Sequence, residues 1–300
     1  MKQIEKTLTC LLCASAVVFS LSINMASGQA DYGDTESPSD ILESPTLNLF
    51  TLNVAHGRGT ALNQLLVSSA AHRKNLQDIA SLLLTSGAQV AALQEADAPS
   101  LWSGRFDHVE FLAGETNYPF YTHGSHADSW LFTYGAALIS SFRMSDSASH
   151  SFRPSWPTAG KGFVRGTLMW HSGDPTQAPR PVTLVSVHLD FSRESVRKAQ
   201  IAELVTELSD VGTALIIMGD FNADWSVETS PVRVLANGLG LRAFEPTRDG
   251  LGTYKRNERL DWILISSELR FIDYAVLPSV VSDHLAVVAS IGWEAKHDDE

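Results

Sequence analysis

A mixed α/β domain is predicted by two observations: a strand–helix–strand pattern that occurs twice, and polar residues placed where the apolar runs end. In the first unit, residues 47–54 alternate Leu, Phe, Leu and Val with polar residues, as a strand ending at Asn53 would. Leu76, Ile79, Ala80 and Leu83 recur at helical spacing, Gly87 supplies a stop, and Val90-Ala-Ala-Leu93 reads as the next strand. In the second unit, residues 182–187 form a strand and Val196, Ile201, Leu204, Val205 and Leu208 share a helical face. Ala214-Leu-Ile-Ile-Met218 is a strand again. Between the units, residues 134–140 and 163–170 read as strands that widen the first sheet.

The ends of the chain differ in composition. Lys2 and Lys6 precede an apolar stretch from Leu8 to Ile23, and Ala26-Ser-Gly28 follows, the pattern of a signal peptide over residues 1–28. The stretch is short for a membrane span; a retained N-terminal anchor is the alternative. Cys10 and Cys13, the two cysteines of the chain, both lie there, so an exported form has no disulfide and depends on core burial. The expected location is extracytoplasmic, periplasmic or secreted. Residues 29–45 are polar and rich in Ser, Asp, Glu, Pro and Gly, as in a linker. One domain is expected over 46–294, with a polar tail at 295–300. The formal charge of −12 disfavours nonspecific attraction to polyanions, which depends on clustered Lys and Arg.

Nine aromatic residues fall between Leu101 and Tyr134. Burial in a packed connection is their commoner use. The other reading is a rim that grips an apolar or sugar-like part of a substrate, which Trp156 would join.

The chemistry gathers at strand ends. In Met218-Gly-Asp-Phe-Asn-Ala-Asp224, Gly219 permits a sharp turn, and Asp220 and Asn222, two apart, share a face beyond the strand. Asp and Asn also cluster in ordinary turns. Five further segments tip the balance: Thr51-Leu-Asn53, Leu93-Gln-Glu95, Ser186-Val-His188-Leu-Asp190, Arg259-Leu-Asp261 and Ser282-Asp283-His284. This ordered set resembles the endonuclease/exonuclease/phosphatase superfamily, the deoxyribonuclease I-like fold, over about residues 46–294. The resemblance implies a four-layer α/β/β/α sandwich of two mixed β-sheets and hydrolysis of phosphoesters with Mg²⁺, or Mn²⁺ in its place.

Under that resemblance Glu95 holds the metal, a hard oxygen donor suited to Mg²⁺, and Asn53 belongs to the same metal site, beside Glu95, orienting a metal-bound water or the phosphate. Asp283 is a second ligand or orients water. Asp220 is the general base, Asn222 stabilises charge on phosphoryl oxygens, and His188 and His284 contact the phosphate or the leaving oxygen, with Asp261 paired to His284. His56, Arg58, Lys161, Arg165, Lys255 and Arg259 could reach phosphate, but charged residues beside strands usually face solvent. They stay outside the assigned set, as does Asp190. The leading expectation is a phosphodiesterase or phosphatase for a lipid headgroup, inositol phosphate or other small phosphoester, with transient membrane-surface contact. A secreted DNA or RNA endonuclease is second, and a non-catalytic phosphate-recognition protein third. Nothing in the sequence indicates a protein partner.

Overall fold

In the computed structural model, which describes residues 25–29 and 40–295, the elements follow in this order. They are β1 (Met25–Gln29), β2 (Ile41–Glu43), β3 (Leu47–Asn53), α1 (Ser69–Ser86), β4 (Val90–Asp97), α2 (His108–Thr116), β5 (Phe120–Asp128), β6 (Thr133–Ser140), β7 (Met144–Ser151), β8 (Gly162–His171) and β9 (Arg180–His188). Then come α3 (Glu194–Leu208), β10 (Ala214–Asp220), α4 (Pro231–Gly238), β11 (Arg242–Ala243), β12 (Asp261–Ile265), β13 (Leu269–Val276) and β14 (Val287–Trp293).

Local chemistry explains the limits of α1. The Ser68 hydroxyl accepts from the Ala71 amide at its start, and Gly87, at φ 68°, ends it in the left-handed conformation that glycine adopts without strain. Each sequence-predicted unit forms a parallel pair, β3 with β4 and β9 with β10, because a helix connects strands that run the same way. The first sheet has the order β1-β5-β6-β4-β3-β14-β13 and the second β11-β12-β10-β9-β8-β2, with β7 paired to β8.

Alternation along the central strands divides the apolar residues between three cores. Leu47, Leu49, Val90 and Ala92 meet Leu184, Ile216 and Met218 between the sheets. Their neighbours Phe50, Leu52, Ala91 and Leu93 point the other way, against Leu76, Ile79 and Leu83 of α1 and Leu112 of α2. Val185, Val187, Leu215 and Ile217 likewise pack on Ile201 and Leu204 of α3 and on Val232 and Leu235 of α4. The result is the expected α/β/β/α sandwich, with strands buried on both faces.

Two expectations are corrected. Residues 163–170 belong to the second sheet, because β8 pairs antiparallel with β9 and β5 takes the position beside β6. The stretch read as linker contains β2, parallel to β8, with Leu42 in the central core, and Gln29 ends β1, an edge strand on β5. An open sheet edge offers unpaired backbone groups to any short segment, and composition averaged over the stretch hides a single Ile-Leu pair. Residues 1–24, 30–39 and 296–300, with most of the proposed signal and tail, lie outside the described residues. Among the described residues no helix is long and apolar enough to cross a membrane.

Register places five of the six predicted segments at one end of the sandwich, and the Ser282 hydroxyl, donating to the Asn53 carbonyl, brings the sixth there. Asn53 pairs with Gln94, Asp220 with both His188 and Asp261, and Gly162 with His188. Gly219 makes the last turn of β10 possible: its φ is 146°, and a Cβ there would lie 2.0 Å from the Val187 carbonyl oxygen. Gly219→Ala is expected to cost at least about 3 kcal/mol from backbone strain and collision, lowering Tm by about 10 °C. An unchanged melting curve would contradict this.

Candidate active site

Asp220 stands at the centre, almost fully buried where β10 runs out. Its Oδ2 accepts from Asn53 Nδ2 at 3.0 Å and lies 3.5 Å from His188 Nε2 and 3.8 Å from His284 Nε2. Its Oδ1 accepts from the Asn222 amide. Behind His284, Asp261 Oδ2 faces Nδ1 at 2.8 Å, so the expected pair is formed in space. Tyr254 covers the imidazole at 4.6 Å between centroids, and Ser282 ties the following loop to the Asn53 carbonyl.

Glu95 forms the other half. A bulge between Gln94 and Ala96 interrupts β4, and Glu95 takes φ 53°. Gln94 thus stays inside, donating to Ser186, while Glu95 emerges at the mouth, 20% exposed. Its Oε1 lies 3.8 Å from both Lys161 Nζ and His188 Nε2, and its Oε2 3.2 Å from His56 Nε2. Lys161 is itself buried, 3.2 Å from both ring nitrogens of His188.

These contacts set the charges. Burial pushes the Asp220 carboxyl up, and Asp261 adds to this; His284 and the Asn53 hydrogen bond oppose it, leaving a pKa of about 6. Burial acts to lower His284, but Asp261 and Asp220 outweigh it and raise its pKa to about 10. His188 is held well below its ordinary value by burial and then by Lys161, so it is neutral. Burial also lowers Lys161. Burial favours the neutral form of Glu95, yet the charges of His56 and then Lys161 prevail and keep it ionised far below the usual carboxylate range.

Asn53, Glu95, His188, Asp220, Asp261 and His284 are therefore brought together. The other two assigned residues are placed differently. Asn222 turns its Nδ2 to the Leu189 carbonyl and, at φ 49°, shapes the turn that holds Asp220. Asp283 is bound by Arg58 at 2.6 Å. Asn53 is held on both sides, its Oδ1 accepting from the Ala55 amide and its Nδ2 donating to Asp220 Oδ2. Of the residues left outside the set, Lys161, His56 and Arg58 reach the site. Arg259 is structural, lying over Trp262 and donating to the carbonyls of Phe244 and Glu245. Asp190 caps the turn at Ser192 and Arg193.

The donors present fit the divalent cation that the resemblance implies. Glu95 is ionised, reaches the mouth, and offers the hard oxygen that Mg²⁺ takes alongside water and phosphate. Asp220, Asp261 and His284 also bring one ligand atom each within 4.8 Å of one another. There the charged imidazole already balances the carboxylates, so Glu95 is the better anchor.

The chain matches the Endonuclease/Exonuclease/phosphatase family over residues 50–284. No curated protein matches it significantly. Among solved structures, a Bacteroides vulgatus endonuclease/exonuclease/phosphatase is similar at a TM-score of 0.63 and 13% identity, covering 83% of this chain and 99% of that one. The human Nocturnin catalytic domain with bound sulfate anion is similar at 0.59 and 18%, covering 84% and 96%. The Bacteroides thetaiotaomicron mannosyl-6-phosphatase is similar at 0.58 and 14%, covering 82% and 100%. At these identities the structures speak for the fold; the family match, which spans more than half the chain and both halves of the site, carries membership. This protein belongs to the endonuclease/exonuclease/phosphatase family.

Proposed function

We propose that the protein is an exported, Mg²⁺-dependent phosphoesterase that hydrolyses a lipid-borne or other small phosphoester by direct attack of water on phosphorus. Family members are phosphoester hydrolases and generally use divalent metals. The observation that carries the reading is Asp220, ringed at 3.0–3.8 Å by Asn53, His188 and His284, with Asp261 behind.

Asp220 Oδ2, ionised above pH of about 6, takes a proton from the attacking water while Asn53 fixes its orientation. His284, charged up to pH of about 10, donates from Nε2 to a phosphoryl or leaving oxygen. Lys161 and neutral His188 stand between Asp220 and Glu95 as further donors to the phosphoryl group. Glu95 would hold a divalent cation, which would supply neutralisation of the negative charge on the phosphoryl group.

The surroundings favour an ester presented at a lipid surface over nucleic acid. Trp102, Tyr118, Phe120 and Tyr134 of the aromatic stretch are buried, whereas Trp130 is 75% exposed. Leu62, Leu66, Trp156 and Phe191 are exposed too, on loops that leave the site end of the sheets. Aromatic and aliphatic groups around a mouth suit a membrane interface, and the net charge of −12 gives polyanions no general attraction. Trp130→Ala with Trp156→Ala should weaken partition onto phosphatidylcholine vesicles about tenfold or more without slowing hydrolysis of a soluble ester. Unchanged partition would remove the lipid argument.

Export rests on the residue 1–28 pattern, and cleavage there would remove all of β1, an edge strand that pairs with β5 alone, except Gln29. N-terminal sequencing of the exported form should begin near Gln29; an intact Met1 would replace export with an anchor. The reaction itself is tested with bis-p-nitrophenyl phosphate, p-nitrophenyl phosphate, sphingomyelin and plasmid DNA, each in EDTA, Mg²⁺ or Mn²⁺. Metal-dependent turnover of a phospholipid or small ester is expected. Turnover confined to plasmid would establish the nuclease reading, and metal binding without turnover a recognition role.

A further inference from the structure

Beside the reacting groups lies a second buried histidine–carboxylate pair. Asp97, two residues beyond Glu95, is fully buried, with Oδ1 2.7 Å from His56 Nδ1 and Oδ2 accepting from Trp102 Nε1 at 2.7 Å. Both carboxylate oxygens are thus engaged and the group cannot turn. The imidazole is confined as well: Tyr134 meets it edge-on at 4.6 Å and Trp102 lies 5.0 Å away between centroids. Its remaining nitrogen, Nε2, points at Glu95 Oε2.

The backbone is arranged to put it there. Ala55 and His56 both have positive φ, 48° and 55°, and Gly57 follows at 66°. Each non-glycine residue in that region costs about 1–3 kcal/mol and persists only where its surroundings demand it. Here the Asn53 side chain holds the Ala55 amide, and Asn75 holds the Gly57 carbonyl. Glu95 is the third residue in the same unfavourable region, so strained backbone on both sides delivers His56 Nε2 to Glu95 Oε2.

We propose that His56, locked by Asp97 and Trp102, is a positioning residue for Glu95: it engages Oε2 at 3.2 Å and leaves Oε1, which Lys161 Nζ and His188 Nε2 approach only to 3.8 Å, as the oxygen for a divalent cation. This rests on the metal-dependent reading above. A partner that orients a ligating carboxylate in this way typically matters to metal affinity by about 10–100-fold.

The test is Mn²⁺ binding to the purified full chain, followed by electron paramagnetic resonance, with thermal melting as the control for the fold. His56→Asn tolerates positive φ and can still donate toward Asp97, but does not reach Glu95; it should weaken Mn²⁺ binding about 10–100-fold. His56→Gln, with a donor near the position of Nε2, should recover part of the loss. Trp102→Phe keeps the packing, frees one Asp97 oxygen, and should weaken binding to a smaller degree; it also serves if His56→Asn melts early. Glu95→Gln sets the reference for loss of the site. If Glu95→Gln loses Mn²⁺ while His56→Asn and Trp102→Phe bind as the parent does, the positioning role is overturned and the metal assignment stands. If Glu95→Gln itself binds normally, both fall.

Discussion

Asp220→Asn is expected to lower kcat on the hydrolysed phosphoester by about 10²–10⁴-fold while the protein stays folded, the range for loss of a general base. The substitution keeps shape, and its carboxamide oxygen can accept one of the two hydrogen bonds, that from Asn53 Nδ2 to Oδ2 or that from the Asn222 amide to Oδ1, while its amino group faces the other donor. It removes the carboxylate that stands between the two histidines and takes the proton from water. The fold should tolerate it better at high pH than at low. The Asp220 pKa is raised to about 6 from an ordinary 3.8, so its contribution to stability is present in full below about 3.8 and is lost as pH rises through 6. A neutral amide escapes that loss, so the melting temperature of the variant should fall less far below the parent's at pH 8 than at pH 4. Retention of more than about a tenth of the parent's kcat would exclude Asp220 as the base.

Removing the acid partner should be nearly as costly. His284→Gln is expected to reduce kcat by about 10²–10³-fold, the effect of deleting a donor aimed at developing phosphoryl or alkoxide charge. In the parent, kcat/KM should rise through pH of about 6 as Asp220 ionises and fall through about 10 as His284 loses its proton. Asp261→Asn removes a carboxylate that raises His284, so the alkaline limb should move to lower pH while the variant keeps some activity. Stability follows the same direction: the contribution of raised His284 is complete below about 6.5 and is lost as pH passes 10. An alkaline limb unmoved in Asp261→Asn would show that this pair does not govern the reaction.

The parts that the sequence made legible are those where one residue reports one geometry. Apolar alternation in β3 and short apolar runs in β4, β9 and β10 located the central strands, and the polar residues closing them marked the site. Pairing across the sandwich was less visible. Strand β8 reads equally well in either sheet until its register with β9 is known, and β2 owes its place to an open edge rather than to its own pattern. Asn222 and Asp283 sit in the expected motifs, but hydrogen bonds to Leu189 and Arg58, residues remote or unweighted in sequence, decide where they point. Lys161 and His56 were passed over for a physical reason: a lone charge near a Gly-flanked loop usually faces solvent, and only the folded chain buries these two against Glu95. The one available signal for the second pair was Asp97, which the bulge at Glu95 returns to the interior.

Hydrolysis of the best substrate in H₂¹⁸O, with Mg²⁺ and then with EDTA, tests the central claim most directly, that this site activates water against phosphorus. The expected result is Mg²⁺-dependent turnover with one ¹⁸O in the phosphorus-containing product and none in the alcohol. Label in the alcohol, or turnover that EDTA leaves untouched, would contradict it.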